Sequence, residues 1–266
     1  MKNYKGKAIY NPSGKAGEYS YWACNFYVGC SNGCTYCYLK KGIGKATLGG
    51  DKPTLKKCFR DEHDAIEVFE KEVFANIDEL KEHGLFFTFT SDPMLKDTIK
   101  LTEMAIDFCT DYGIPVKLLT KRADWLDYLI PRLSINYRHL YAFGFTLTGH
   151  DKLEPNASTN KERIEAMKKL YDAGFKTWAS IEPIIDFPKA LDMFHATYGI
   201  CDLYKIGLKS GDKWKKWQVK LFIDWINVDC HDQSKVYFKD SLLKQAGIER
   251  SSLPPNCVSR DFNIFK

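Results

Sequence analysis

Apolar positions along the chain fall into two alternating rhythms. Between residues 61 and 83, Ile66, Phe69, Val73, Phe74, Ile77 and Leu80 recur at three- and four-residue steps, which predicts one long amphipathic helix. Short apolar runs bounded by Gly, Pro and polar residues predict strands at 85–90, 115–120, 140–147, 177–181 and 203–207. Each run is followed by a segment of helical period, at 98–112, 123–133, 160–173, 188–198 and 213–228. Gly113 and Gly174 stop two of these helices, Pro131 interrupts a third late, and Pro188 stands near the first turn of a fourth. An aromatic-rich run at 22–28, ending at Gly29, predicts the first strand. A short strand at 236–238 and a helix at 240–246 close the ordered part.

Six strand–helix units in strict alternation place the chain in the α/β class, with a parallel sheet and helices outside it. Right-handed crossovers curl such a sheet into a complete or partial barrel. The 266 residues suit one large unit of that kind, and a hydrophobic content of 44% is enough for its core. Residues 1–21, with Gly6, Pro12, Gly14 and Gly17, read as an irregular lead-in, 22–230 as the barrel, and 231–266 as an extension that closes it.

Composition narrows the setting. No run of about eighteen apolar residues predicts a membrane span, and Met1-Lys2-Asn3-Tyr4-Lys5 is not followed by an apolar export signal. An odd count of nine cysteines then predicts a reducing, cytoplasmic setting. A formal charge of +5 permits a polyanionic partner without requiring one. The six histidines show no ligand spacing, and Gly42, Gly44, Gly49 and Gly50 mark a flexible loop without a nucleotide-binding spacing.

The chemistry concentrates at Cys30, Cys34 and Cys37, a C-x3-C-x2-C array directly after the first strand. Three thiolates so close leave one over from any disulfide. A structural zinc site wants four protein ligands, and no fourth Cys or His follows at such a spacing. Thiolates are the ligands of iron–sulfur clusters, and three of them on a four-iron cube leave one iron open. In parallel βα architectures the site collects where the strands end, and polar residues stand there. Ser91 and Asp92 follow the second strand, either as acceptors or as a helix cap. Lys121 follows the third, as a partner for an anion or as a solvated cation. Ser180 and Glu182 share one side of the fifth, with Asp186 as a cap for the next helix. Gly207 ends the sixth. Lys213-Trp214-Lys215-Lys216-Trp217 interleaves cations and aromatics; the reading preferred over a base-stacking strip is a helix start with Trp217, Leu221 and Trp225 facing the core.

The cysteine spacing, with the aromatic Tyr36 before the third thiol, resembles the radical S-adenosylmethionine (radical SAM) superfamily. Tyr36-Cys37-Tyr38-Leu39, Thr90-Ser91-Asp92 and Leu119-Thr120-Lys121 resemble its spore photoproduct lyase branch. The resemblance implies a partial, six-unit TIM-like barrel. It also implies a [4Fe-4S] cluster on Cys30, Cys34 and Cys37 whose open iron takes S-adenosylmethionine. Reductive cleavage of that cofactor would yield a 5′-deoxyadenosyl radical, with a low-potential donor such as flavodoxin or ferredoxin supplying the electron. Ser91 and Asp92 would receive the amino group and Lys121 the carboxylate. Tyr36, Ser180, Glu182 and Gly207 would lie near the adenosine or sulfonium, and Tyr38 would act in radical relay. The implied substrate is a nucleobase or nucleoside, free or in nucleic acid, held over the barrel mouth under the N-terminal segment and the tail from Ser251. One departure stands out: Phe89 occupies the place of the lyase pattern's hydrogen-donating cysteine, and Cys58 and Cys109 fall in a loop and a helix. Two other readings stay open, an activase acting on a glycine of a partner protein and a non-catalytic zinc module that binds nucleic acid.

Overall fold

The computed structural model describes residues 3–42, 44–133, 135–230 and 234–266; the first two residues of the expected lead-in and the first three of the expected extension, 231–233, lie outside these. The strands are β1 (Ile9–Tyr10), β2 (Trp22–Cys24), β3 (Tyr27–Val28), β4 (Thr54–Leu55), β5 (Leu85–Phe87), β6 (Val116–Thr120), β7 (Tyr141–Thr146), β8 (Lys176–Ile184), β9 (Leu203–Leu208) and β10 (Lys235–Phe238). The α-helices are α1 (Gly14–Gly17), α2 (Lys45–Leu48), α3 (Glu62–Phe74), α4 (Ile77–His83), α5 (Ile99–Asp111), α6 (Leu126–Leu129), α7 (Asn160–Asp172), α8 (Phe187–Ala196), α9 (Lys216–Asp229) and α10 (Asp240–Ala246).

One sheet runs β1-β2-β5-β6-β7-β8-β9-β10. Every neighbouring pair from β2 to β10 is parallel, and only β1 at the edge is antiparallel. The fold is therefore the expected α/β partial barrel with outer helices. Val236–Phe238 joins it as a seventh parallel strand, and Ile9–Tyr10 adds a strand inside the segment read as irregular.

Two faces of the sheet make two cores. Toward the helices lie Leu85, Phe87, Val116, Leu118, Phe143, Phe145, Ile181 and Ile206, all buried with the inner faces of α3, α5, α7 and α9. Toward the lumen a smaller cluster holds Ala23, Phe86, Ala142, Trp178, Leu203 and Tyr237. Gly144 is required there: a Cβ at this position would stand 2.1 Å from the Trp178 indole. Lumen positions also carry charge, because Lys117 pairs in register with Phe86, and Lys205 with Ser180 and Tyr237.

Three expectations are corrected. The helix over 61–83 is two helices, since Asn76 steps out of helical geometry and its side-chain amide donates back to the Glu72 carbonyl at 2.8 Å. On α9 the buried stripe is Val219, Phe222, Ile223 and Ile226, while Trp217 (61%), Leu221 (39%) and Trp225 (46%) are exposed. Both stripes have helical spacing. The buried one docks where Phe222 meets Phe187 of α8 at 5.0 Å between ring centroids. Lastly, the tail does not cover the mouth. Its backbone pairs with Val236 at the start of β10, Asn263 donates to the Glu82 carbonyl at 2.9 Å, and Ile264 joins the lumen cluster, so it closes the foot of the barrel.

Candidate cofactor site

The cysteine loop leaves the barrel through Asn25 and Phe26, not as one strand over 22–28. Asn25 is buried and ties three segments, donating to the Ala8 carbonyl and the Tyr10 hydroxyl and accepting from the Phe89 amide. Gly29 then turns with φ +83°, and a Cβ there would stand 2.4 Å from the Lys52 carbonyl oxygen, so this approach admits only glycine. The Cys30 amide donates to the Gly50 carbonyl at 3.0 Å, which brings the 44–52 loop over the thiols. Cys30, Cys34 and Cys37 line one recess with Gly33, Leu39, Lys40, Leu48, Gly49 and Gly50. All three are free thiols. Among the described residues no three His, Cys, Asp or Glu side chains converge on a single ion; in a cubane each thiolate holds a different iron, so the ligands need not meet at one point. Burial pushes the Cys30 thiol up to about 12, with the Asp92 carboxylate adding to the effect and Lys121 opposing it. Cys34 is raised by burial and pulled back by Lys121.

Behind the loop lies a support that sequence reading missed. The Tyr36 hydroxyl donates to Glu154, which pairs with Arg163, and both charged side chains are fully buried. Arg163 also donates to the Ser158 carbonyl at 2.8 Å and the Thr146 carbonyl at 2.6 Å, so its guanidinium is well satisfied. The Thr35 amide donates to the Leu153 carbonyl, and Asn156 to the Ser31 and Asn32 carbonyls. The stretch after β7 thus backs the whole cysteine loop. Burial and the Glu154 charge hold the Tyr36 phenol neutral, well above its ordinary range.

Asp92 is buried and its carboxylate is fully engaged. It accepts from Asn32 Nδ2 (2.8 Å), Thr120 Oγ1 (2.6 Å) and the amides of Lys121 (2.9 Å) and Met94 (3.0 Å). It therefore knots the cysteine loop to the ends of β5 and β6. Ser91 differs: its hydroxyl is buried without a hydrogen-bond partner among the described residues, and so is Asn32 Oδ1. Lys121 Nζ stands 5.8 Å from the Tyr36 ring centroid and has no carboxylate within ion-pair distance among the described residues. Tyr38 is exposed, with its hydroxyl on the Phe89 carbonyl.

The other expected residues form a second group in the lumen. Tyr19, from the lead-in, places its hydroxyl 2.7 Å from Ser180 Oγ and donates to Glu182. Lys239 donates to both Glu182 oxygens at 2.9 and 3.2 Å and pairs with Glu18 at 3.4 Å. Lys205 donates to the Glu18 and Tyr19 carbonyls at 2.8 and 2.9 Å. Gly207 earns its place here, since a Cβ would meet Lys239 Cδ at 2.7 Å and Glu182 Cδ at 2.9 Å. Burial, with the Lys117 and Lys239 charges, holds the Lys205 ammonium well below the ordinary lysine range. Asp186 caps α8, accepting from the Lys189 amide, as expected, and also takes His150 at 2.6 Å. A charged residue at a lumen position of an apolar strand was the available signal for Lys205; none marked Tyr19 or Glu154.

The donor set fits a cluster and an amino-acid ligand together. Three thiols share a recess, and two orphaned buried oxygens on the adjoining segments are complements for an ammonium group. The profile of the Radical SAM superfamily matches residues 24–185. An uncharacterized protein of Methanocaldococcus jannaschii is 27% identical over 195 residues, covering 71% of this chain and 68% of the relative. Among solved structures, Streptococcus suis SuiB bound to S-adenosylmethionine superposes with a TM-score of 0.54 at 11% identity, over 84% of this chain and 51% of that one. SuiB bound to its precursor peptide SuiA gives 0.54 at 11% identity, over 88% and 52%. The chain spans about half the length of these solved structures.

Proposed function

The chain belongs to the radical SAM superfamily, and on that premise we propose that it is an enzyme that cleaves S-adenosylmethionine reductively and takes a hydrogen atom from a nucleobase or nucleoside, free or within nucleic acid. Membership implies a [4Fe-4S] cluster and S-adenosylmethionine, which together supply one-electron cleavage of a sulfonium bond and a 5′-deoxyadenosyl radical. It displaces the reading as a zinc module.

Cys30, Cys34 and Cys37 hold the metal. Ser91 Oγ and Asn32 Oδ1 accept from the amino group, and Lys121 balances the carboxylate through a charge-assisted bond. Asp92 acts by position, holding Asn32, Thr120 and the Lys121 backbone in place, in contrast to the direct contact first expected of it. Tyr36 fixes the loop against Glu154. Ser180 and Glu182 hold the Tyr19 hydroxyl in the lumen, on the side where the adenosine would lie, and Gly207 leaves room for the Glu182–Lys239 pair. Tyr38 lies between the thiols and Phe89, where relay to a substrate radical is asked of it.

The nucleobase assignment and the kinship with spore photoproduct lyase rest on Tyr36-Cys37-Tyr38, Thr90-Ser91-Asp92 and Lys121. Phe89 stacks on Phe86 at 4.4 Å, so the position that carries a thiol in the lyase pattern is aromatic packing here. Under the lyase reading, the hydrogen donor would have to be a group other than residue 89. The observation that carries the proposal is the thiol-lined recess with two orphaned acceptors beside it. Anaerobically reconstituted protein, given S-adenosylmethionine and dithionite, releases 5′-deoxyadenosine; a chain that binds iron yet releases none refutes the enzyme reading. Stimulation of that release by a partner protein, and not by oligonucleotides, would reassign the substrate to a polypeptide.

A further inference from the structure

The chain's positive charge is gathered at one place. Residues 40–60 hold six lysines and Arg60 against one carboxylate, Asp51, a formal +6 where the whole chain carries +5. The remainder of the molecule is thus close to neutral. Asp51 is taken by Lys40, and Arg60 by Asp64. Lys41, Lys45 and Lys52 are exposed, and among the described residues no carboxylate lies within ion-pair distance of them.

This cationic loop is the outer wall of the thiol recess: Lys40, Leu48, Gly49 and Gly50 line it together with the three cysteines, and the Gly50 carbonyl accepts from the Cys30 amide. A like-charged surface is kept at a cost in self-repulsion, and its gain lies in attracting an oppositely charged partner at raised rate. The proposed reaction consumes one electron per sulfonium cleaved. The geometry points to the Lys41–Lys45–Lys52 face as the docking surface for an acidic one-electron carrier protein, which delivers its electron through the thin wall at Gly49 and Gly50. In that step the carrier is oxidised by one electron, the cluster is reduced by one, and no bond or proton changes hands. The inference rests on the radical SAM reading of the recess.

The test uses cluster-reconstituted protein and a purified acidic flavodoxin in its hydroquinone form. Lys41→Glu, Lys45→Glu and Lys52→Glu combined should weaken flavodoxin binding and slow cluster reduction by flavodoxin about tenfold or more. Iron content and reduction by photoreduced 5-deazariboflavin, a small neutral donor, should not change. In the unaltered protein, the flavodoxin affinity and rate should both fall as salt rises. An unchanged flavodoxin rate in the triple variant overturns the docking surface, as does an unaltered protein that flavodoxin neither binds nor reduces. A single-stranded oligonucleotide that binds the face more tightly than flavodoxin and blocks it also overturns it, making the face a nucleic-acid surface. Loss of iron binding or of deoxyadenosine release with deazariboflavin as donor would instead refute the reading of the recess, whatever the lysines do.

Discussion

Glu154 and Arg163 meet with no solvent around either side chain, and their value lies in what each would be without the other. Removing one member of a buried pair strands a charge at a cost of about 3–5 kcal/mol. Arg163→Met should lower the unfolding free energy by that order in urea titrations, and Glu154→Leu added to it should restore much of the loss; a double variant no better than the single would mean that the pair's other bonds, to Ser158 and Thr146, carry the stability. At the cofactor end, Cys34→Ala should deplete the iron that the unaltered chain holds, about four per chain for a cubane. Lys121→Ala should weaken S-adenosylmethionine binding in calorimetry at unchanged iron content, and an unaltered affinity would remove Lys121 from the site. The residues legible in the sequence were those whose chemistry is local: a thiol triplet within eight positions, a lysine at a strand end. Glu154 and Tyr19 were not legible, because each meets its partner across more than a hundred residues (Tyr36 and Glu154 are 118 apart, Tyr19 and Ser180 161) and neither segment has a period that betrays it.

Among the elements, strands were read well because parallel strands with both faces covered are short apolar runs. Helix faces were read less well. On α9 two stripes compete, and size misled: the indoles of Trp217 and Trp225 promised more burial, but Val219, Ile223 and Ile226 are the buried ones, on a helix that packs against α8 and α10. Ile223→Ala should therefore cost about 2–5 kcal/mol through the cavity it leaves. Leu221→Ala, two residues away and on the outer stripe, should stay within about 0.5 kcal/mol. Equal urea midpoint shifts for the two would show that the outer stripe is covered in solution. The break at Asn76 was invisible for a related reason: the apolar rhythm runs through it unbroken, and only the side-chain bond to Glu72 marks the step.

For the whole molecule, charge inside the lumen has a measurable signature. Burial pushes Lys117 down to about 8, whereas an unfolded lysine keeps its proton to about 10.4. Between those limits the unfolded chain binds more protons than the folded one, so this group makes stability rise with pH there. Lys117→Met should flatten the rise in urea midpoints measured from about pH 8 to about pH 10; a slope equal to the unaltered chain's would trace the effect to Lys205 or elsewhere. The sheet itself is open, with β1 and β10 at opposite edges, and the gap is bridged by the lead-in and the tail, which touch where Arg260 donates to the Gly17 carbonyl at 3.1 Å. That contact joins residues 243 positions apart. During synthesis it forms only after residue 260 has emerged from the ribosome, long after the cysteine loop. Until residue 260 is available, the gap between the two edge strands lacks that bridge, so this closure is the late partner of a segment made early.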